Sequence, residues 1–128
     1  MNLLLDAHTF LWFATANPRL STVAAGHLGD PNNQRLLSVA TAWEIAIKSS
    51  LGKLQLSSTF DVFLAQSLAR GRITLLPIEV PHLEMVATLP WHHKDPFDCL
   101  LAAQALVNKI AVVSVDTILD AYGVTRLW

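Results

Sequence analysis

The chain has 128 residues, of which 52% are hydrophobic and 15% are charged, and its formal net charge is −1. This length suffices for one buried core, so we treat residues 1–128 as a single domain. The single cysteine excludes an internal disulfide and a cysteine-based zinc site, and the near-neutral charge excludes a strong basic field that would attract a polyanion from a distance.

The sequence contains short apolar runs that alternate with segments of helical periodicity. The predicted strands are 2–5, 35–39, 73–76, 110–115 and 124–127. The predicted helices are 9–16, 21–28, 41 to about 52, 59–70, 81–88 and one that begins after Asp95, with a short helical piece near Leu119. Continuous apolar strands that alternate with helices indicate a parallel sheet covered on both faces. The predicted fold class is therefore α/β, a three-layer α/β/α sandwich with a mainly parallel central sheet.

The apolar residues also bear on location and partners. The amino-terminal segment MNLLLDAHTF lacks a basic leader, carries Asp6 in its apolar run and is a poor signal peptide. No stretch reaches the roughly 18 uninterrupted apolar residues that span a bilayer. We therefore expect a cytoplasmic protein with no membrane partner. The high apolar fraction further predicts a protein interface.

We single out four of the ten carboxylates, each at the end of a predicted strand or in the first turn of a predicted helix, and interpret Asp30, Asp61, Glu79, Glu84 and Asp120 as solvated or turn residues. Asp6 ends the first strand, and Asp116 follows the valine-rich strand. Glu44 and Asp98 lie in the predicted first turns of their helices. Because the carboxyl ends of parallel strands face one crevice, we expect these four side chains to converge there.

A cluster of carboxylates resists joint ionisation unless a positive charge lies between them. Magnesium and manganese prefer oxygen ligands, and a site with two such ions hydrolyses phosphodiesters without a serine, cysteine or histidine nucleophile. No such nucleophile with a convincing partner is apparent in the sequence. The four acids therefore predict a metal-dependent site.

Each acid also has a purely structural interpretation. Thr41-Ala42-Trp43-Glu44 fits a capping box, and Asp95-Pro96-Phe97-Asp98 is close to one. Asp6 and Asp116 suit turn or cap positions after strands. Asp95 is predicted to be an N-cap, because Pro96 suits the first position of a helix.

The histidines and tryptophans have simpler interpretations than catalysis. Asp6-Ala7-His8 has the spacing of binuclear metallophosphoesterases, but the accompanying motifs are missing, so His8 is interpreted as a helix-start residue. His92-His93 would have to bind a metal together with Asp95, and a polar loop before a capped helix explains the pair more simply. The tryptophans are predicted to lie in the core or in an interface; they occupy positions 12, 43, 91 and 128.

Four segments together closely resemble PIN-domain ribonucleases of the VapC toxin type. They are LLLDAHTFLW at 3–12, SVATAWEIAIKSSLGKL at 38–54, HHKDPFDCLLAAQAL at 92–106 and VVSVDTILDAYGV at 112–124. The resemblance spans nearly the whole chain and implies a PIN-like α/β/α fold with RNA as substrate, a cognate antitoxin and a homodimer.

The same resemblance implies roles for individual residues. The Mg²⁺ or Mn²⁺ site would consist of four acids, namely Asp6, Glu44, Asp98 and Asp116. Ser114 matches the small hydroxyl residue that commonly precedes the last acid by two. Asp95 is not part of this resemblance; as the predicted N-cap it would support the site by fixing the start of its helix. Cys99 stands where close relatives usually have arginine, so any role of that arginine would pass to another cation such as Lys94 or Lys48.

Three rival functions remain open at this stage. A phosphatase acting on small phosphomonoesters would use the same ions. A phospho-receiver domain also combines a doubly wound fold with an acidic pocket, although the placement of Glu44 fits it badly. The third rival is a degenerate domain that only binds a partner, and the complete set of acids argues against it.

Overall fold

The computed structural model describes residues 1–92 and 94–128, so the prediction about His93 lies outside the described residues. The strands are β1 Asn2–Leu5, β2 Gln34–Ser38, β3 Ile73–Leu76, β4 Ala111–Val113 and β5 Arg126–Leu127. The helices are α1 Ala7–Ala14, α2 Thr22–Gly29, α3 Val39–Ser50, α4 Phe60–Gly71, α5 Val80–Thr88 and α6 Pro96–Asn108, followed by a 3₁₀ helix, Thr117–Tyr122. None of the helices in these described ranges is long and apolar enough to cross a membrane.

The strands form one parallel sheet in the order β3-β2-β1-β4-β5, which confirms the predicted fold class. The chain winds outward from β1 to β2 and β3, then crosses back to place β4 on the other side of β1. A crevice forms at the carboxyl ends of β1 and β4, because the helices that follow these two strands lead to opposite faces. The order also differs from the 2-1-3-4-5 arrangement of flavodoxin-like folds, to which receiver domains belong.

The core lies on both faces of the sheet. Leu3, Leu4 and Leu5 of β1 are fully buried. Leu3 and Leu5 pack in a cluster with Phe10, whereas Leu4 packs on the other face with residues such as Leu101. Successive strand residues point to opposite faces, so an uninterrupted apolar strand is buried only when helices cover both.

Two helices begin earlier than the sequence pattern indicates. Helix α1 begins at Ala7 and not at Thr9, because the Asp6 carboxylate caps it by accepting a hydrogen bond from Thr9 N. Helix α3 begins at Val39 and not at Thr41, because Ser38 Oγ accepts a hydrogen bond from Ala40 N. The placement of Glu44 in the first turn of α3 is therefore wrong, and so is its interpretation as part of a capping box.

Exposure excludes the core interpretation for two of the four tryptophans, Trp43 and Trp91. Trp43 is 61% exposed and Trp91 is 59% exposed, whereas Trp12 and Trp128 are half-buried against each other with ring centroids 5.8 Å apart. Trp43 instead contacts Phe97 edge-to-face at a centroid distance of 5.3 Å. The apolar sequence around Trp43 reflects the buried side of α3, and Trp43 itself lies on the outer side.

Candidate active site

A cavity of about 140 Å³ opens at the carboxyl end of the sheet. The four predicted site acids all line it. They come from four separate parts of the chain, the end of β1, helix α3, helix α6 and the loop after β4. The structure thus brings together Asp6, Glu44, Asp98 and Asp116, and their catalytic role stays a prediction.

Asp6 is the most deeply placed of these acids, at 9% exposure. Its Oδ1 accepts a hydrogen bond of 2.8 Å from Thr9 N, and its Oδ2 accepts one from Ser114 Oγ. Thr9 Oγ1 in turn donates to Val113 O at 2.7 Å, which ties the start of α1 to β4. The structural interpretation of Asp6 as a cap is confirmed, and the same carboxylate also faces the cavity.

Ser114 lies between the first and last acids of the site. Besides donating to Asp6, its Oγ accepts a hydrogen bond of 3.0 Å from Asp116 N. Asp116 Oδ1 accepts from Ile118 N at 3.0 Å, so Asp116 caps the 3₁₀ helix as the structural interpretation predicted. One buried hydroxyl therefore sets the relative position of Asp6 and Asp116.

The chain around Ser114 is further held by Arg126. Arg126 Nη1 donates to Ser114 O at 3.1 Å, and its Nε donates to Asp120 Oδ1 at 2.8 Å. The hydrogen bond from Arg126 lowers the pKa of Asp120, and the same bond raises the pKa of the Arg126 guanidinium, with a smaller contribution from the charge of Asp116. Asp120 thereby orients a cation that fixes the backbone beneath the site.

Glu44 reaches the cavity from the second turn of α3. Its side chain is 14% exposed, and Oε2 lies 2.8 Å from Lys48 Nζ, one turn further along the helix. Lys48 also lines the cavity. From the sequence, Lys48 is predicted only as a replacement cation. Its i,i+4 spacing from Glu44 is the signal that predicts this ion pair.

The two aspartates at the start of α6 have different positions. Asp95 is the N-cap, and its Oδ1 accepts a hydrogen bond of 2.9 Å from Phe97 N, which confirms the predicted cap. Asp98 lies in the first turn of α6, where the helix dipole favours a negative charge. Both line the cavity.

Cys99, by contrast, faces away from the cavity. It is fully buried in the core cluster that contains Leu101 and Tyr122. Burial raises the pKa of its thiol, and a hydrogen bond with Tyr122 opposes that shift. Cys99 thus contributes packing, and Lys48 is the cation that the described residues supply at the cavity wall.

The side chains that line the cavity suit a hard divalent cation. Its acidic members offer only oxygen ligands, and magnesium is typically held by one or two protein carboxylates together with several waters. As they stand, no three His, Cys, Asp or Glu side chains among residues 1–92 and 94–128 are grouped closely enough to hold one metal ion directly. His8 lies in the first turn of α1, as predicted, with its ring stacked on Trp12.

Comparison with known proteins identifies the family. The family model described as "PIN domain" matches residues 3–124. No curated protein sequence matches the chain. Solved structures similar in fold include VapBC-1 from nontypeable Haemophilus influenzae, with 16% identity and a TM-score of 0.70 over 98% of this chain and 96% of that chain. VapBC2 from Rickettsia felis, bound to a DNA fragment from their promoter, has 13% identity and a TM-score of 0.75 over 98% of this chain and 97% of that chain. FitAcB from Neisseria gonorrhoeae has 20% identity and a TM-score of 0.64 over 97% of this chain and 95% of that chain. Because the family model spans nearly the whole chain, the protein belongs to the PIN domain family.

Proposed function

We propose that the protein is a metal-dependent endoribonuclease and the toxin of a type II toxin–antitoxin pair. The observation that carries the proposal is the convergence of four carboxylates, from four separate parts of the chain, on one cavity. Membership of the PIN domain family supports it, because PIN domains are generally nucleases. The similar structures that bear the VapBC name support a cognate antitoxin as partner.

The residues that would hold Mg²⁺ or Mn²⁺, directly or through bound water, are Asp6, Glu44, Asp98 and Asp116. The ion would supply the positive charge that lets these carboxylates stay ionised together, and it would polarise a phosphoryl oxygen and activate water. Ser114 holds Asp6 and Asp116 in register, and Asp95 fixes the start of α6 so that Asp98 faces the cavity. Lys48 supplies positive charge at the wall, where it neutralises Glu44.

The proposal predicts RNA cleavage that depends on magnesium or manganese and stops in excess chelator. We expect Asp116→Asn to lower cleavage by more than the roughly 10–100-fold that is typical when a partner of a metal ligand is removed, while the chain stays folded. Glu84→Gln is the matched control, because Glu84 is an exposed acid on α5 outside the cavity. Cleavage should be followed by sequencing the RNA ends after incubation with the purified protein.

Two outcomes would contradict the proposal. Full activity in excess chelator would exclude the metal mechanism. Hydrolysis of a chromogenic phosphomonoester in preference to RNA would favour the phosphatase function.

A further inference from the structure

A second, larger cavity of about 600 Å³ adjoins the acid-lined one. The two share Ala7, His8 and Lys48 as wall residues, so they lie side by side. A polymer whose phosphodiester lies at the acids would therefore place a neighbouring unit in the larger cavity. Its volume lies within the range of about 300–1,000 Å³ that is typical of small-molecule pockets.

The interior of the larger cavity is apolar and aromatic. Ile45 and Phe63 are buried in its floor. His8 and Trp12 form a stacked pair in its wall, with ring centroids 5.4 Å apart and an interplanar angle of 25°. Such surfaces bind nucleobases, which stack on aromatic side chains in single-stranded RNA complexes.

The rim of the same cavity is basic. Arg19 and Lys53 line it and are exposed, and Lys48 stands where it meets the acid-lined cavity. Neither the Arg19 nor the Lys53 side chain forms a hydrogen bond or an ion pair with any residue that the structure describes. In a chain with a net charge of −1, this group of cations beside a cluster of acids provides local attraction for an anion.

We propose that this cavity binds the nucleotide next to the cleaved phosphodiester of a single-stranded RNA. The base packs against the wall formed by His8 and Trp12, and the backbone phosphates contact Arg19 and Lys53. This inference rests on the proposed function and specifies its substrate. A nucleotide matches both the apolar interior and the basic rim, whereas an apolar protein segment matches the interior alone.

The test is equilibrium binding of a short fluorescent single-stranded RNA of mixed sequence, in chelator so that no metal-dependent cleavage occurs. The logarithm of the binding constant falls with the logarithm of salt concentration by about 0.7 per phosphate contact for single strands. We expect the double variant Arg19→Ala, Lys53→Ala to bind more weakly and to lower this slope by about 1.4. Both residues are exposed, so the variant should fold like the parent.

A control pair of cations lies at the opposite end of the sheet. Arg70 and Arg72 are exposed and precede β3 at its amino end. The control variant is Arg70→Ala, Arg72→Asn, since asparagine tolerates the left-handed backbone of Arg72 at φ 50°. This control should keep the parent's dependence of RNA binding on salt concentration.

A second variant tests the aromatic wall. Trp12→Ala should weaken binding about five-fold or more with no change in slope, because stacking involves no counterion release. Trp12→Phe should restore most of the affinity, and an unaltered circular-dichroism spectrum of Trp12→Ala excludes misfolding as the cause of its loss, because Trp12 also contacts Trp128.

Three results would overturn the inference: no binding of RNA by the parent in chelator, an unaltered salt-dependence slope in the Arg19/Lys53 variant, or an equal decrease of that slope in the Arg70/Arg72 control. If the cavity variants bind RNA like the parent but no longer co-purify with a co-expressed antitoxin, the cavity binds a protein segment instead. The parent's cleavage assay is read separately. If the parent binds RNA but does not cleave it with metal present, the proposed function is contradicted. If the parent cleaves RNA but the Arg19/Lys53 variant keeps the parent's salt-dependence slope, only the nucleotide site is contradicted.

Discussion

Ser114 Oγ donates a hydrogen bond to Asp6 Oδ2 across a sequence separation of 108 residues. The same oxygen accepts from Asp116 N. Two acids of the site are therefore positioned by one hydroxyl at the crevice between β1 and β4, and this relationship gives the first prediction.

Ser114→Ala should raise the Mn²⁺ concentration needed for half-maximal binding about ten-fold or more, since partners that orient metal ligands typically affect affinity by 10–100-fold. Isothermal titration calorimetry measures this directly without relying on activity. Ser114→Thr keeps the hydroxyl and should recover part of the affinity. Unaltered Mn²⁺ binding by the alanine variant would show that Ser114 does not position a ligand.

The two aspartates at the start of α6 should respond differently to substitution. Asp95→Ser provides another good N-cap and should keep most cleavage, whereas Asp95→Ala should lower the free energy of unfolding by about 1 kcal/mol. Asp98→Ala should abolish cleavage with a smaller effect on stability. Urea unfolding and RNA cleavage are measured on all three variants. If Asp95→Ser were folded and as inactive as Asp98→Ala, Asp95 would have to act in the site itself.

Metal binding should stabilise the native state, because a cation relieves repulsion among the acids. At about 100 times its dissociation constant, an ion that binds only the native state adds roughly 2.7 kcal/mol to the free energy of unfolding. The Tm should therefore rise on addition of Mg²⁺ or Mn²⁺, and less so in Asp98→Asn. An equal rise in variant and parent would place Asp98 outside the metal site.

Asp120 should contribute to stability in a pH-dependent manner. Its pKa in the folded protein is lowered by Arg126, so its contribution is present above the unfolded pKa of about 3.9 and is lost as the pH falls through the lower folded value. Asp120→Asn should lower the Tm near neutral pH and have progressively less effect below about pH 4. The control is the same substitution in an Arg126→Ala background, where the pH-dependent difference should disappear. Its persistence there would assign the effect to another group.

The protein should self-associate, because large apolar side chains such as Trp43, Val80 and Leu83 are more than half exposed. We expect light scattering to show a homodimer at micromolar concentration. A protein that stays strictly monomeric at high concentration would contradict the homodimer while leaving antitoxin binding open.

The sequence by itself determined the layered parallel fold and the order of its elements. The apolar run of β1 has no polar side, so it required cover on both faces, and Asp95-Pro96 marked the start of α6 because proline fits only the first turn of a helix. It also singled out the four acids, since each stands near the end of a strand or the start of a helix.

Only the tertiary structure decided how those acids are held. Local signals did not distinguish Ser38 from Thr41 as the N-cap of α3. Because Ser38 is the N-cap, Glu44 lies in the second turn, where it contacts Lys48, and not in a capping position. The pairing of β1 with β4 decides that Ser114 meets Asp6, because strand register depends on the packing of both sheet faces and not on any neighbouring residue. The same packing turns Trp43 outward and Cys99 inward, as side-chain direction on a helix depends on which face the rest of the fold covers.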